Sequence, residues 1–258
     1  MDEQPVRPGR RGVLKALTLG VPGAWAVRTH AATREQDASQ DKPAQGDHAD
    51  HGKAGTARPL KFFNAEEAAA VDAIVARLIP ADELGPGAKE AGVTAFLDEQ
   101  LAGAWGSGDQ FYRQGPFEPG TPEQGYQLSF TPAEMMRRGL ASLDAAARKQ
   151  DGKPYAELSA ERQDEWLRQM QAGKADFSPL PSAVFFQALL EGTIEGFFAD
   201  PMYGGNADMV GWKLVGFPGA YASFSNDIER HGARWDGQPV SIAMARPHVS
   251  GVKGGTHG

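Results

Sequence analysis

Residues 182–199 read SAVFFQALLEGTIEGFFA, and this stretch decides the fold. Phe186, Leu189, Leu190, Ile194, Phe197 and Phe198 recur at steps of three and four, the spacing that stacks side chains on one face of an α-helix. An apolar stripe this broad marks the central helix of a domain. Its polar remainder holds Glu191 and Glu195, four apart, beside Gly192 and Gly196. Paired carboxylates do acid–base chemistry when their surroundings split their pKa values. Here the glycines predict a shallow groove open to another backbone, so the face reads as solvated or interfacial, not catalytic.

Working outward, the same period predicts four more helices. Asn64 with Glu67 forms a capping-box pattern, followed by Val71, Ile74, Val75, Leu78 and Ile79 until Pro80 stops the helix. After a loop at residues 80–92 with Pro86 and three glycines, a helix over 94–105 offers Phe96, Leu97, Leu101 and Trp105. Residues 106–130 form a long Gly- and Pro-rich stretch carrying Phe111, Tyr112, Phe117 and Tyr126. A loop of that length is usually functional or interfacial, and its aromatics predict that it packs on its own core or on a partner. Thr131 with Glu134 repeats the capping box ahead of Met135, Met136, Leu140 and Leu143, a helix ending near Gly152. Trp166, Leu167 and Met170 mark another over 160–172. Alternation suited to a strand is confined to residues 240–243, too short to define a sheet. The expected fold is mainly α: a single orthogonal helical domain of about five main helices with long Gly/Pro-rich loops.

Composition narrows function. The 258 residues are 41% hydrophobic, enough for one sizeable core, and the net charge of −7 disfavours a nucleic-acid binder or electrostatic attachment to anionic lipid. There is no cysteine, so this chain can neither anchor a c-type haem by thioethers nor hold a thiolate-ligated iron–sulfur cluster or a disulfide. Any such redox centre must sit on another chain. No Gly-x-Gly-x-x-Gly turn and no Gly-x-Ser-x-Gly elbow occurs. His231 and His248 have no evident partner, and a general base needs a positioned proton donor; they read as ordinary surface or core histidines.

The first residues form an address. Arg10 and Arg11 precede an apolar run over 13–27, broken by Lys15, Thr18, glycines and Pro22, with small residues at Ala31 and Ala32. The run is too short and weakly apolar for a membrane span, which takes about 20 apolar residues. It reads as a cleavable signal over 1–32, and the paired arginines resemble the twin-arginine (Tat) export pattern. Cleavage after Ala31 would remove five basic and two acidic side chains, leaving a more acidic chain. Residues 33–59 are polar and predict a flexible linker. Asp47, His48, Asp50 and His51 within it could hold a divalent ion only loosely, and solvated linker is the reading. The folded domain, with an irregular tail, is expected over 60–258.

After the central helix comes DPMYGGNADMVGWKLVGFPG, residues 200–219. Pro201 stops the helix, Gly204, Gly205 and Asn206 suit positive φ and a sharp turn, and Trp212 and Phe217 would pin the loop by burying rings. Tyr203, Gly204, Gly205, Asn206, Trp212 and Lys213 are the candidate partner-docking residues, with Tyr203, Asn206 and Lys213 expected to face outward. This string, with FFNAEEAAAVDAIVARLIPAD at residues 62–82 and the leader, resembles the small subunit, subunit 3, of the gluconate 2-dehydrogenase family of sugar and polyol dehydrogenases. The resemblance covers residues 60–219, and the polar linker is longer than the family pattern leads one to expect.

The resemblance implies a three-part periplasmic enzyme, membrane-associated through its complex. A large flavoprotein of the glucose–methanol–choline (GMC) class carries FAD, with an iron–sulfur cluster as a further candidate group on that chain. A multihaem cytochrome c passes electrons to the membrane. The small subunit engages the Tat translocon, escorts the flavoprotein and holds no cofactor, metal or catalytic residue of its own. The alternative is a self-standing periplasmic ligand-binding protein or enzyme with a pocket between helices.

Overall fold

The computed structural model describes residues 59–109, 111–118, 120–121, 127–220 and 237–245. Helix α1, Ala65–Leu78, opens on the expected capping box: the Glu67 amide donates to Asn64 Oδ1 at 2.8 Å and the Asn64 amide to Glu67 Oε2 at 3.0 Å. It buries Val71, Ile74, Val75 and Leu78. Helix α2 is Val93–Ala102, shorter than the sequence suggested. Gly103 turns extended (φ −96°, ψ −167°) and a separate turn of helix, α3, Ala104–Ser107, carries Trp105. Glycine costs about 1 kcal/mol in a helix interior, which makes this the natural point for the break.

Helix α4, Pro132–Asp151, has the second capping box, Thr131 with Glu134, and ends at Gly152 in the left-handed region. Tyr155, in the 3-10 turn Tyr155–Glu157, is fully buried. Helix α5, Ala160–Gln171, buries Trp166, Leu167 and Met170. Helix α6, Ser182–Phe198, packs against α1, α2, α4 and α5 and is the centre of the domain. Phe185, Leu189 and Phe197 on it are wholly excluded from solvent, each worth roughly 1.5–3 kcal/mol of burial. Gly139 on α4 leaves room for Phe185, whose ring would lie 2.2 Å from a Cβ there.

Polar anchors lock the helices together. The buried Asp98 carboxylate on α2 accepts from the amides of Lys61, Phe62 and Phe63 at 2.8, 3.0 and 2.8 Å, fixing the chain's entry into α1. Arg77 of α1 donates to both oxygens of Asp164 on α5, each at 2.6 Å. Beyond α6 lie the 3-10 turns Pro201–Tyr203 and Ala207–Met209, then α7, Val210–Val215, and α8, Ile242–Ala245. Residues 240–243 do not form a strand. Val240 makes one isolated bridge with Gly219 and the chain then coils into α8. Among the described residues the secondary structure is helical apart from such bridges, and no described helix is long and apolar enough to cross a membrane.

Candidate functional site

The glycine-rich stretch folds onto the last turn of α6, and three consecutive residues there hold it. The Phe198 carbonyl accepts from the Trp212 indole N–H at 2.8 Å. The Ala199 carbonyl accepts from Asn206 Nδ2 at 2.8 Å. The Asp200 carboxylate accepts from the Met202 amide at 3.0 Å and the Ile242 amide at 2.7 Å, capping the first 3-10 turn and α8 together. Asn206 closes the loop, since its Oδ1 accepts from the Gly211 amide at 2.8 Å.

Close approach explains the glycines here. A Cβ on Gly205 would lie 2.2 Å from the Gly196 carbonyl oxygen, and one on Gly211 2.1 Å from that of Phe197. Gly204 takes positive φ, as its residue type suggested, and so does Asn206 at φ 48°. Asp208 and Met209 follow at φ 54° and 56°. A left-handed conformation costs an ordinary L-residue about 1–2 kcal/mol, which Asn and Asp partly escape and Met does not.

The expectation that Asn206 faces outward is corrected. Asn206 is fully buried, Gly205 is buried, and Trp212 is 6% exposed. Their roles are internal: they hold the loop on α6. Trp212 pins the loop as expected, whereas Phe217 stays 47% exposed with its ring edge-on to Trp212 at 5.2 Å. Among the docking candidates, Tyr203 and Lys213 face solvent. Val215, two residues beyond Lys213, and Ile242 and Met244 of α8 are further exposed apolar side chains that the residue pattern did not single out. The Val240 amide donates to the Pro218 carbonyl at 3.1 Å and the Ala220 amide to the Val240 carbonyl at 2.7 Å, so the backbone carrying Phe217 adjoins that leading into α8. Asp200 had a visible signal, an Asp ahead of Pro at a helix start; its second partner, Ile242, had none. In the 106–130 stretch Phe111 is half-buried, while Tyr112 and Phe117 are exposed.

The glycine groove on α6 receives another backbone as expected, that of Gly205 seated on Gly196, and it belongs to this same chain. It is filled from within: a Cβ on Gly192 would lie 2.7 Å from Leu97 Cδ2, and one on Gly196 2.8 Å from Phe96 Cδ1. The adjacent carboxylates differ. Glu191 accepts from Gln187 Nε2 at 2.8 Å. Glu195 is exposed, at the rim of a cleft of about 460 Å³ between α2, α3 and α6 lined also by Phe96, Glu99 and Trp105. Desolvation by these neighbours, with the Glu191 charge one turn away, holds the Glu195 carboxyl above the ordinary range. Among the described residues no group of three or more His, Asp or Glu could hold a metal ion. Arg10, Arg11, Tyr126, His231, His248 and the cluster Asp47, His48, Asp50 and His51 lie outside the described residues.

These elements define a helical domain whose glycine-rich loop is bound to the end of its central helix. The chain belongs to the gluconate 2-dehydrogenase subunit 3 family, whose model matches residues 65–219. It is an accessory subunit of the gluconate 2-dehydrogenase kind. No curated protein and no solved structure matched the chain.

Proposed function

We propose that this chain is the non-catalytic small subunit of a periplasmic, FAD-dependent sugar or polyol dehydrogenase. In this reading Arg10 and Arg11 direct the chain to the Tat translocon. The folded domain docks the GMC-type flavoprotein, which crosses with it and thereafter passes electrons to a multihaem cytochrome c. Family membership over residues 65–219 is the observation that carries the reading. The leader sequence and the lack of cysteine for thiolate-held redox centres support it.

Docking falls to the face around Tyr203 and Lys213, continued by Val215, Phe217, Ile242 and Met244. Adjoining exposed apolar side chains with a polar rim are what a subunit interface requires. The loop is held rigid from inside by Asn206 and Trp212, so the face is formed before the partner arrives, which lowers the cost of association.

The test is export. Replacing Arg10→Lys and Arg11→Lys together is expected to leave the dehydrogenase activity in the cytoplasmic fraction. Undiminished periplasmic activity in the double variant would overturn the escort role.

A further inference from the structure

Twice among the described residues an arginine is held jointly by an aromatic face and a carboxylate. Arg162 lies over the Trp166 ring at 5.4 Å while donating from Nε to Asp151 at 2.7 Å. Arg137 lies over Phe62 at 4.1 Å and bonds Glu67 at 2.9 Å. The cleft between α2, α3 and α6 offers two of these three parts: the half-buried Trp105 ring and the Glu195 carboxylate. The cation is missing, since no lining residue is basic. Nearby Lys61 is committed to Glu99 at 2.7 Å. Glu195 has no hydrogen-bond or ion-pair partner among the described residues, although Glu191 one turn away engages Gln187.

We propose that this cleft receives an arginine side chain of the large subunit, stacked on Trp105 and paired with Glu195. The inference rests on the reading of this chain as a dehydrogenase subunit. Charge complementarity selects the occupant, because Glu195 is an uncommitted carboxylate, no lining residue is basic and the chain is acidic at −7. A planar guanidinium both stacks on an aromatic ring and forks onto a carboxylate, which an ammonium does not do. An incoming cation would also relieve the repulsion that Glu195 feels from Glu191.

The test uses the tagged full chain captured with its large subunit from native cells. Binding between the two chains is then followed as salt is raised. Glu195→Gln is expected to weaken the complex by about ten-fold or more and to flatten its salt dependence. Trp105→Leu should weaken it similarly, and Trp105→Phe should retain most of the binding. Glu157→Gln, on the exposed turn before α5, should leave it unchanged. Melting temperatures of the variants separate lost docking from lost folding, and Glu195→Gln carries the test if Trp105→Leu unfolds. A wild-type complex matched by Glu195→Gln in affinity and salt slope would overturn the cleft assignment while leaving the subunit reading intact. A wild-type homodimer dissociated by Glu195→Gln would overturn the assignment to a large subunit. A wild-type chain that captures no large subunit at all would remove the subunit reading and this inference with it.

Discussion

Replacing Asn206 separates the two things it does for the glycine-rich loop. Its buried side chain donates to the part-buried Ala199 carbonyl and accepts from the buried Gly211 amide, both at 2.8 Å. Its backbone sits at φ 48°. Asn206→Ala deletes both bonds, leaving the part-buried Ala199 carbonyl, at about 1 kcal/mol, and the buried Gly211 amide, at about 1–3 kcal/mol, without that partner. It also places an alanine in the left-handed region, at about 1 kcal/mol. The expected cost is about 3–5 kcal/mol. Asn206→Gly deletes the same bonds but accepts the backbone angle, so it should cost about 1 kcal/mol less. Urea unfolding followed by far-UV circular dichroism gives the two values. Hydrogen exchange at the Gly211 amide and the Trp212 indole shows whether the loop opens locally before the domain unfolds. An Asn206→Ala protein within 1 kcal/mol of wild type would mean that these two bonds do not hold the loop. An Asn206→Gly protein no more stable than the alanine variant would mean that the left-handed angle costs alanine nothing.

Asp98→Ala removes the acceptor of three backbone amides at the entry to α1, and urea unfolding should show a loss of about 3 kcal/mol or more. Met209→Gly relieves a left-handed methionine at φ 56° and should raise stability by about 0.5–1 kcal/mol in the same assay. Asp151 is held below the usual carboxylate range by its bond to Arg162, with the Trp166 indole N–H assisting. Its contribution to stability is therefore complete above the ordinary unfolded-state carboxylate pKa, about 3.9, and is lost as pH falls through that value toward the depressed folded one. Unfolding free energies measured from neutral pH downward should fall less steeply in Asp151→Asn than in wild type.

The helices were legible because their signals are local. Val71 with Ile74 and Val75, and Phe186 with Leu189 and Leu190, repeat at the helical period, and both capping boxes stand four residues wide in the sequence. What escaped depends on partners far along the chain. Asp98 sits three residues before the buried Leu101, on the same stripe, but only the returning amides of residues 61–63 explain why a carboxylate belongs there. The glycines at 192 and 196 announced a close approach, and nothing local said that α2 makes it rather than another molecule. Asn206 looked like a surface turn residue because its type suits one. Its burial follows from Gly205 and Gly211 seating the loop backbone on the carbonyls of α6. Helix α7 was hidden inside a segment whose glycines and proline read as loop. Trp105 was expected at the end of one continuous helix, and the break at Gly103 instead sets it on a separate turn at the cleft.

The proposed role makes this chain a subunit beside a flavoprotein. The most direct measurement is the absorption spectrum and chain composition of the tagged protein purified from its native cells. Flavin bands, a co-eluting large chain and dehydrogenase activity are expected in the same fraction. A single colourless chain carrying a small molecule of its own, released on denaturation, would contradict that role.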